Sequence, residues 1–463
     1  MPCTSRVPRV YNVVGLPGTL PLVSRGSFPA GATLPDKDTM IEEQARDRLN
    51  WAGNHTYAAE AIEHPTTLTE LQRAVEGGTR VSALGSRHSF NDIADSPGTL
   101  VSLDVMDPAV SVDPEALTVT VGAGVRYGVL AEHLQRRGYA LHNLASLPHI
   151  SIGGAIATAT HGSGDRNGNL ATAVVGLELV TASGDVLTVT QGDDDFDGMV
   201  VGLGALGVVH RVTLRIEPTF EVRQDVFTDV PWDAVLADYD AATSAAYSVS
   251  LFTDWTGGTI GQAWLKSRVD SGTAVPTDFF GGTPAEAALH PVPGVAADHC
   301  TQQLGVSGPW SDRLAHFRLA FTPSNGEELQ TEYLVGREHA VAAIEAVRAL
   351  APRITPLLQV SEIRSMAADG LWLSNNYQRA GIGLHFTWKP AQPEVEALLP
   401  EIEAALAPFA MRPHWGKLFT ADAARLAPLY PRFDDFRALA ARMDPEGKFR
   451  NAFLDRTVFG STA

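Results

Sequence analysis

The stretch RVSALGSRHSFNDIA, residues 80–94, changes character in its middle. Val81 to Leu84 reads as a short apolar strand, and Gly85 breaks it into a small polar loop. In that loop His88 stands among Ser86, Arg87, Ser89 and Asn91. Taken singly, such an imidazole is ordinarily a solvated side chain, so its meaning depends on what the rest of the chain brings near it.

Upstream, HPTTLTELQRAVEGGTRV carries Thr67 and Glu70 as a capping box. Leu68, Leu71, Ala74 and Val75 follow on one helical face, with Gly77-Gly78 as the stop. Downstream, LVSLDV, AVSV and LTVTVG read as strands, and a helix is predicted from about Arg126 to Arg137. The block SLPHISIGGAIATATHGSG, Ser146 to Gly164, is rich in small residues, which suits a backbone passing very close to another group. VVGLELVTASGDVLTVT reads as a hairpin turning at Ser183-Gly184-Asp185, and GLGALGVVHRVTLRIEP as a glycine-marked turn entering a strand that ends at Pro218. Beyond Pro218 aromatics and prolines increase, a helix is predicted from about Arg337 to Leu350, and Thr273 to Pro309 reads as loop. Alternation in QVSEIRS puts Glu362 and Arg364 on one face and Ser361, Ile363 and Ser365 on the other. In LHFTW it puts His385 and Thr387 opposite Phe386 and Trp388. These polar faces either meet water or line a cavity.

The chain has 463 residues, 44% hydrophobic and 19% charged, enough for two domains with separate cores. Thirty-five basic residues against 53 acidic ones leave a formal net charge of −18, which argues against nucleic acid or an anionic membrane as a partner. Two cysteines, Cys3 and Cys300, offer neither a disulfide framework nor a metal cluster and fit a reducing cytoplasm. No apolar run approaches a membrane span. The first 44 residues, broken by Pro17 and Pro21, are expected to form a poorly ordered extension without a secretory core.

The His88 loop, the Ser146–Gly164 block, the GLGALGVV turn and the late HWGK together resemble the vanillyl-alcohol oxidase type of flavoprotein. The likeness is closer to the alditol oxidases, also called xylitol oxidases. They share NWAGN, HSFN, ASLPHIS, ATHGSG, YSVSLFTDW, FTPS, EIR, HFTW, RPHWGK and DPEGKF…NAF, in this order between Leu49 and Phe453. The resemblance implies a two-domain α+β fold of the PCMH type. Residues 45–220 would form an FAD domain, 221–419 a substrate domain with a large antiparallel sheet, and 420–463 a return to the FAD domain.

The resemblance also implies site roles. The loop Ala83, Leu84, Gly85, Ser86, Arg87, His88 and Ser89 would wrap the FAD pyrophosphate, a use of main-chain N–H groups that needs small residues. His88 would be bonded covalently to the flavin 8α carbon. Ser151, Gly154, Ala155, Ile156 and Ala157 would make the second set of backbone contacts, Val209 the adenosine-side contact, and His414 a flavin contact. Ser146 would touch both flavin and substrate, and Ala145 would sit where residue size affects oxygen access. Arg87 departs from the glycine found in many related flavoproteins. A positive φ there would cost about 1 kcal/mol.

Hydride leaves a carbinol carbon most easily as its O–H loses the proton, so cations near that oxygen are needed. Arg364 and Lys417 are the candidates by resemblance, with Glu362 orienting Arg364 and accepting a hydrogen bond from a neighbouring hydroxyl. Ser146, His385 and Thr387 would bond further hydroxyls. An isolated Glu-x-Arg is more often a surface ion pair, and His385 alone a core histidine. A zinc site from His88, His161 and His385 lacks any HxxH, HxH or CxxC spacing, so no metal is expected. The implied reaction converts alditols such as xylitol or sorbitol, with O₂, to aldoses and H₂O₂, in a cytoplasmic monomer. An aldonolactone oxidase or dehydrogenase on the same fold, and a sugar-binding protein without redox chemistry, are the competing readings.

Overall fold

The computed structural model describes residues 48–269, 277–320 and 327–460. The expected N-terminal extension and the FTPS segment lie outside these residues, as does part of the expected loop from Thr273 to Pro309.

The chain runs from local rules to a mixed architecture of helices and sheets. Thr67 caps the helix Leu68–Gly77 by accepting from Glu70 N, and Glu70 answers by accepting from Thr66 N at 2.8 Å. Leu71, Ala74 and Val75 are its buried face. The strand Val81–Leu84 that follows lies parallel to Thr99–Ser102, which also pairs with Ala61–Glu63. The predicted strand from Leu100 ends at Ser102 because Leu103 O turns back to accept from Met106 N. A five-stranded antiparallel sheet follows in the order Ser111–Asp113, Thr118–Gly122, Val208–Arg215, Val174–Val180 and Val186–Thr190. The last two form the predicted hairpin. The helix predicted near Arg126 spans Tyr127–Gln135.

From Glu221 onward, a nine-stranded sheet dominates. Its centre runs Thr259–Arg268, Ser248–Thr253, Leu358–Met366, Gly381–Trp388 and Leu329–Gly336, all antiparallel. On one face Ile363, Leu384 and Phe386 pack with Ile344 of the helix Ala340–Ala349 and with Val395 and Leu398 of Gln392–Leu406. The opposite face carries polar side chains that are nonetheless buried. The register sets Glu332 beside His385 and His385 beside Glu362, one row across three strands.

The C-terminal segment packs with the first half of the chain, since Phe436, Leu439 and Phe453 share an apolar cluster with Leu71, Val119 and Val212. Lys448 fastens it. Its Nζ donates to Val75 O, Glu76 O and Ala182 O, the first two being last-turn carbonyls of the helix Leu68–Gly77, while Lys448 O accepts from Val81 N. No helix among the described residues is long and apolar enough to cross a membrane.

Replacing Lys448 with methionine strands three carbonyls, and the expected loss of stability is about 1–3 kcal/mol. Urea unfolding followed by circular dichroism should show a lower midpoint at unchanged slope, and an unchanged midpoint would contradict this anchoring role.

Candidate active site

Two glycine-rich bends meet at a pair of serines. Ser86 N donates to Ser151 Oγ at 3.2 Å, and Ser151 N donates to Ser86 Oγ at 2.9 Å. The approach leaves no room for a side chain at Gly85, where a Cβ would lie 2.5 Å from Ser151 Oγ. Ser151 is also the N-cap of the short helix Ile152–Ala157, and Gly153 N donates to Ala123 O at 2.8 Å. Arg87 adopts a φ of 63°, the left-handed conformation considered from the sequence, at a cost of about 1–2 kcal/mol.

The NWAGN motif braces that strained loop from outside. Trp51 N donates to Arg87 O, Asn50 Nδ2 to Ser89 O, and Asn54 Nδ2 to Phe90 O, all within 2.9 Å. The Trp51 ring stacks on His88 with centroids 5.2 Å apart. His88 Nδ1 is buried without a hydrogen-bond partner. Burial lowers the imidazole pKa to about 4, so the ring is neutral near pH 7.

All the residues assigned from the sequence, from Ala83 to Lys417, line one cavity of about 420 Å³, within the ~300–1,000 Å³ of small-molecule sites. Ala145, Ser146, Val209 and His414 are among them. The two bends, the bare Gly85 and the neutral His88 with its unpartnered Nδ1 fit an FAD whose phosphates approach main chain.

At the other end stands the polar face of the large sheet. Arg364 Nη2 donates to Glu362 Oε2 and, at 2.7 Å, to Ser146 Oγ. His316 Nε2 lies 2.8 Å from Glu362 Oε1. Burial by itself would raise the Glu362 pKa, but Arg364 and His316 outweigh it and hold the carboxyl well below its usual range. Lys417 Nζ donates to Glu332 Oε2 at 2.6 Å and to His385 Nδ1 at 2.8 Å. With Nδ1 accepting, His385 carries its hydrogen on Nε2 and donates to Thr387 Oγ1 at 3.1 Å. Burial first, then the Lys417 charge, lower the His385 pKa to about 4. Burial also lowers the Lys417 pKa, and Glu332 opposes it.

The two ends are clasped together. Asn91 of HSFN donates from Nδ2 to Trp415 O at 2.8 Å and to Lys417 O at 2.7 Å, and Phe90 N donates to Gly416 O. Sequence reasoning assigned no role to Asn91. It also missed Glu332, 2% exposed, and His316, 5% exposed, the direct partners of Lys417 and Glu362. Alternation in LQTEYLVG could have put Glu332 opposite Tyr333, but its neighbours depend on strand register. His316 lies outside any regular element and gave no signal.

Of the three histidines weighed for zinc, only His161 joins a set with ligand atoms within 4.8 Å of one another, namely His161, Glu332 and His414. Glu332 already has Lys417 as its counter-charge, and a divalent ion there would set two cations against one carboxylate.

Comparison with known proteins agrees with this geometry. The profile of the FAD binding domain family matches residues 59–190, and that of D-arabinono-1,4-lactone oxidase matches residues 323–457. The chain is 49% identical to an alditol oxidase of Streptomyces sp. over 411 residues, 88% of this chain and 97% of that protein. It is 30% identical to an L-gulono-1,4-lactone dehydrogenase of Mycobacterium tuberculosis over 440 residues, 88% of this chain and 98% of that one. A crystal structure of cholesterol oxidase from B. sterolicum superposes with a TM-score of 0.71 at 16% identity, covering 89% of this chain and 96% of the other, a likeness of fold. With nearly half of its residues shared along almost the whole of a curated relative, the chain belongs to the alditol oxidase family of FAD-binding flavoproteins.

Proposed function

We propose that the protein oxidises alditols such as xylitol and sorbitol at the terminal carbon, giving an aldose while O₂ is reduced to H₂O₂. The observation that carries this reading is the single cavity that joins the bend at His88 to a wall of two cations, Arg364 and Lys417, each held by its own carboxylate. Bound FAD supplies hydride acceptance and the delivery of two electrons to oxygen. His88 would be the point of covalent attachment, its neutral ring nitrogen replacing one hydrogen of the flavin 8α-methyl group while the two electrons released pass through the flavin to O₂. Residues 45–220 and 420–463 hold the cofactor and residues 221–419 the substrate, with Val209 toward the adenosine, His414 against the flavin and Ala145 on the oxygen approach.

Arg364 and Lys417 would stabilise the carbinol oxygen as it gives up the proton that, with the hydride accepted by the flavin, ends on oxygen as H₂O₂. Both are buried and already oriented, so little reorganisation accompanies the developing charge. Glu362 keeps Arg364 aimed and accepts from the next hydroxyl. His385, Thr387 and Ser146 take further hydroxyls, each of which would cost about 1–3 kcal/mol if buried unpaired. The protein works as a cytoplasmic monomer on a small polyol and oxygen.

A second reading, oxidation of aldonolactones, is favoured by the D-arabinono-1,4-lactone oxidase profile over residues 323–457. Peroxide assays with xylitol and sorbitol, set against L-gulono-1,4-lactone and D-arabinono-1,4-lactone, separate the two. Alditols are expected to be the better substrates. Peroxide from lactones alone would favour the second reading, and a yellow protein that makes none from either class would refute both.

The Lys417–Glu332 pair sets a pH limit. Burial draws the Lys417 pKa below its ordinary value and the Glu332 carboxylate draws it back up. In Glu332→Gln the second influence is gone, so Lys417 should lose its proton at lower pH and the alkaline limb of kcat/KM should move down. Loss of one charge-assisted hydrogen bond of ~1.5–3 kcal/mol corresponds to about a 10-fold to 100-fold fall in kcat/KM at neutral pH. An alkaline limb that stays in place would contradict the role given to Lys417.

A further inference from the structure

Lys266 is a lysine where a methionine would be simpler. It lies within the strand Thr259–Arg268, is 1% exposed, and makes no ion pair among those of the described residues. Its Nζ meets three acceptors: Leu314 O at 2.6 Å, Ala315 O at 2.8 Å and His316 Nδ1 at 3.1 Å. Three acceptors match the three hydrogens of an ammonium. Burial pulls the Lys266 pKa well down, and the nearby Glu362 charge opposes that pull.

We propose that Lys266 is a positioning residue: it occupies Nδ1 of His316 and so keeps that ring a neutral Nε2–H donor to Glu362, the carboxylate that receives a polyol hydroxyl. Only the last clause rests on the proposed function.

Three observations support it. First, the ring packs in T-shaped contacts with Phe252 and Trp264, with centroids 5.6 and 5.2 Å away, so its orientation is set by packing and its protonation is the remaining freedom. Second, the charged groups facing it are Lys266 from one strand and Glu362 and Arg364 from another. Burial first and then Lys266 lower the His316 pKa to about 4, although Glu362 pulls the other way. Without the ammonium, the carboxylate would draw a second proton onto Nδ1, and Glu362 would face an imidazolium as well as Arg364. Its remaining lone pairs would then be poorer acceptors for a hydroxyl. Third, His316 N and Phe317 N both donate to Ser146 O, while Ser146 Oγ accepts from Arg364. His316, Glu362, Arg364 and Ser146 thus form a closed ring of contacts, and Lys266 joins it at His316.

The test uses holoenzyme labelled with ¹⁵N-histidine, with the His316 signals identified by their loss in His316→Gln. In the wild-type protein the ring should remain a neutral Nε2–H tautomer between about pH 5 and 8. In Lys266→Met it should titrate within that window. For xylitol, Lys266→Met should raise KM about tenfold with kcat nearly unchanged. The same substitution in the His316→Gln background, where nothing can protonate, should add little to KM. A wild-type ring that titrates normally, or that carries its hydrogen on Nδ1, overturns the proposal, and this reading needs no folded Lys266 variant, only the His316→Gln protein used for the assignment. Equal KM effects of Lys266→Met in both backgrounds overturn it as well. If no polyol yields peroxide, the functional reading fails while the ring titration still decides the state of His316.

Discussion

The reciprocal hydrogen bonds between Ser86 and Ser151 are the constraint on which the site depends. They hold two bends, distant in sequence, so close that Gly85 admits no side chain, and they fix where the loop must turn. The turn costs a left-handed Arg87, which the three bonds from Asn50, Trp51 and Asn54 hold in place. The result is a neutral imidazole, stacked on Trp51, at the junction of the bends. Asn91 then carries the same constraint across to Lys417 by bonding that residue's own carbonyl. The loop at His88 and the Lys417 segment, the proposed cofactor cradle and the proposed catalytic cation, are therefore positioned by one continuous set of hydrogen bonds.

The large sheet contributes a different kind of order. Its helical face is an ordinary apolar core, and its other face is a buried row of charges made tolerable by pairing. Buried ions are costly unless each has a partner with good geometry. Here Arg364 has Glu362 and Lys417 has Glu332, and each carboxylate is further approached by a histidine, His316 or His161. His161 Nε2 lies 3.1 Å from Glu332 Oε1 without the alignment of a hydrogen bond. Such an arrangement stabilises the fold poorly for its size, but it fixes two cations on the cavity wall, where the proposed reaction needs them.

Much of this was legible in the amino-acid sequence, and the illegible part has a physical reason. The capping box of Leu68–Gly77, the hairpin at Gly184 and the alternation that put Glu362 with Arg364 and His385 with Thr387 are local properties, which propensity and period expose. Whether those polar faces met water or a cavity was not local, since it depended on what covers the sheet. Glu332 was missed because its importance comes from register: it lies opposite His385 on a neighbouring strand, more than fifty residues away in the chain. His316 and Lys266 act through a segment without regular structure and through a strand interior, where no short motif marks a buried cation. The assignments of cofactor residues came through family resemblance, which the shared cavity makes physically coherent.

The most direct measurement of the central claim is mass spectrometry of a proteolytic digest made after acid precipitation of the pure protein. The expected result is the peptide containing His88 carrying the added mass of a flavin, with the yellow colour in the precipitate. A His88 peptide of unmodified mass, with all the colour in the acid supernatant, would contradict the claim that the two bends hold the cofactor against that ring.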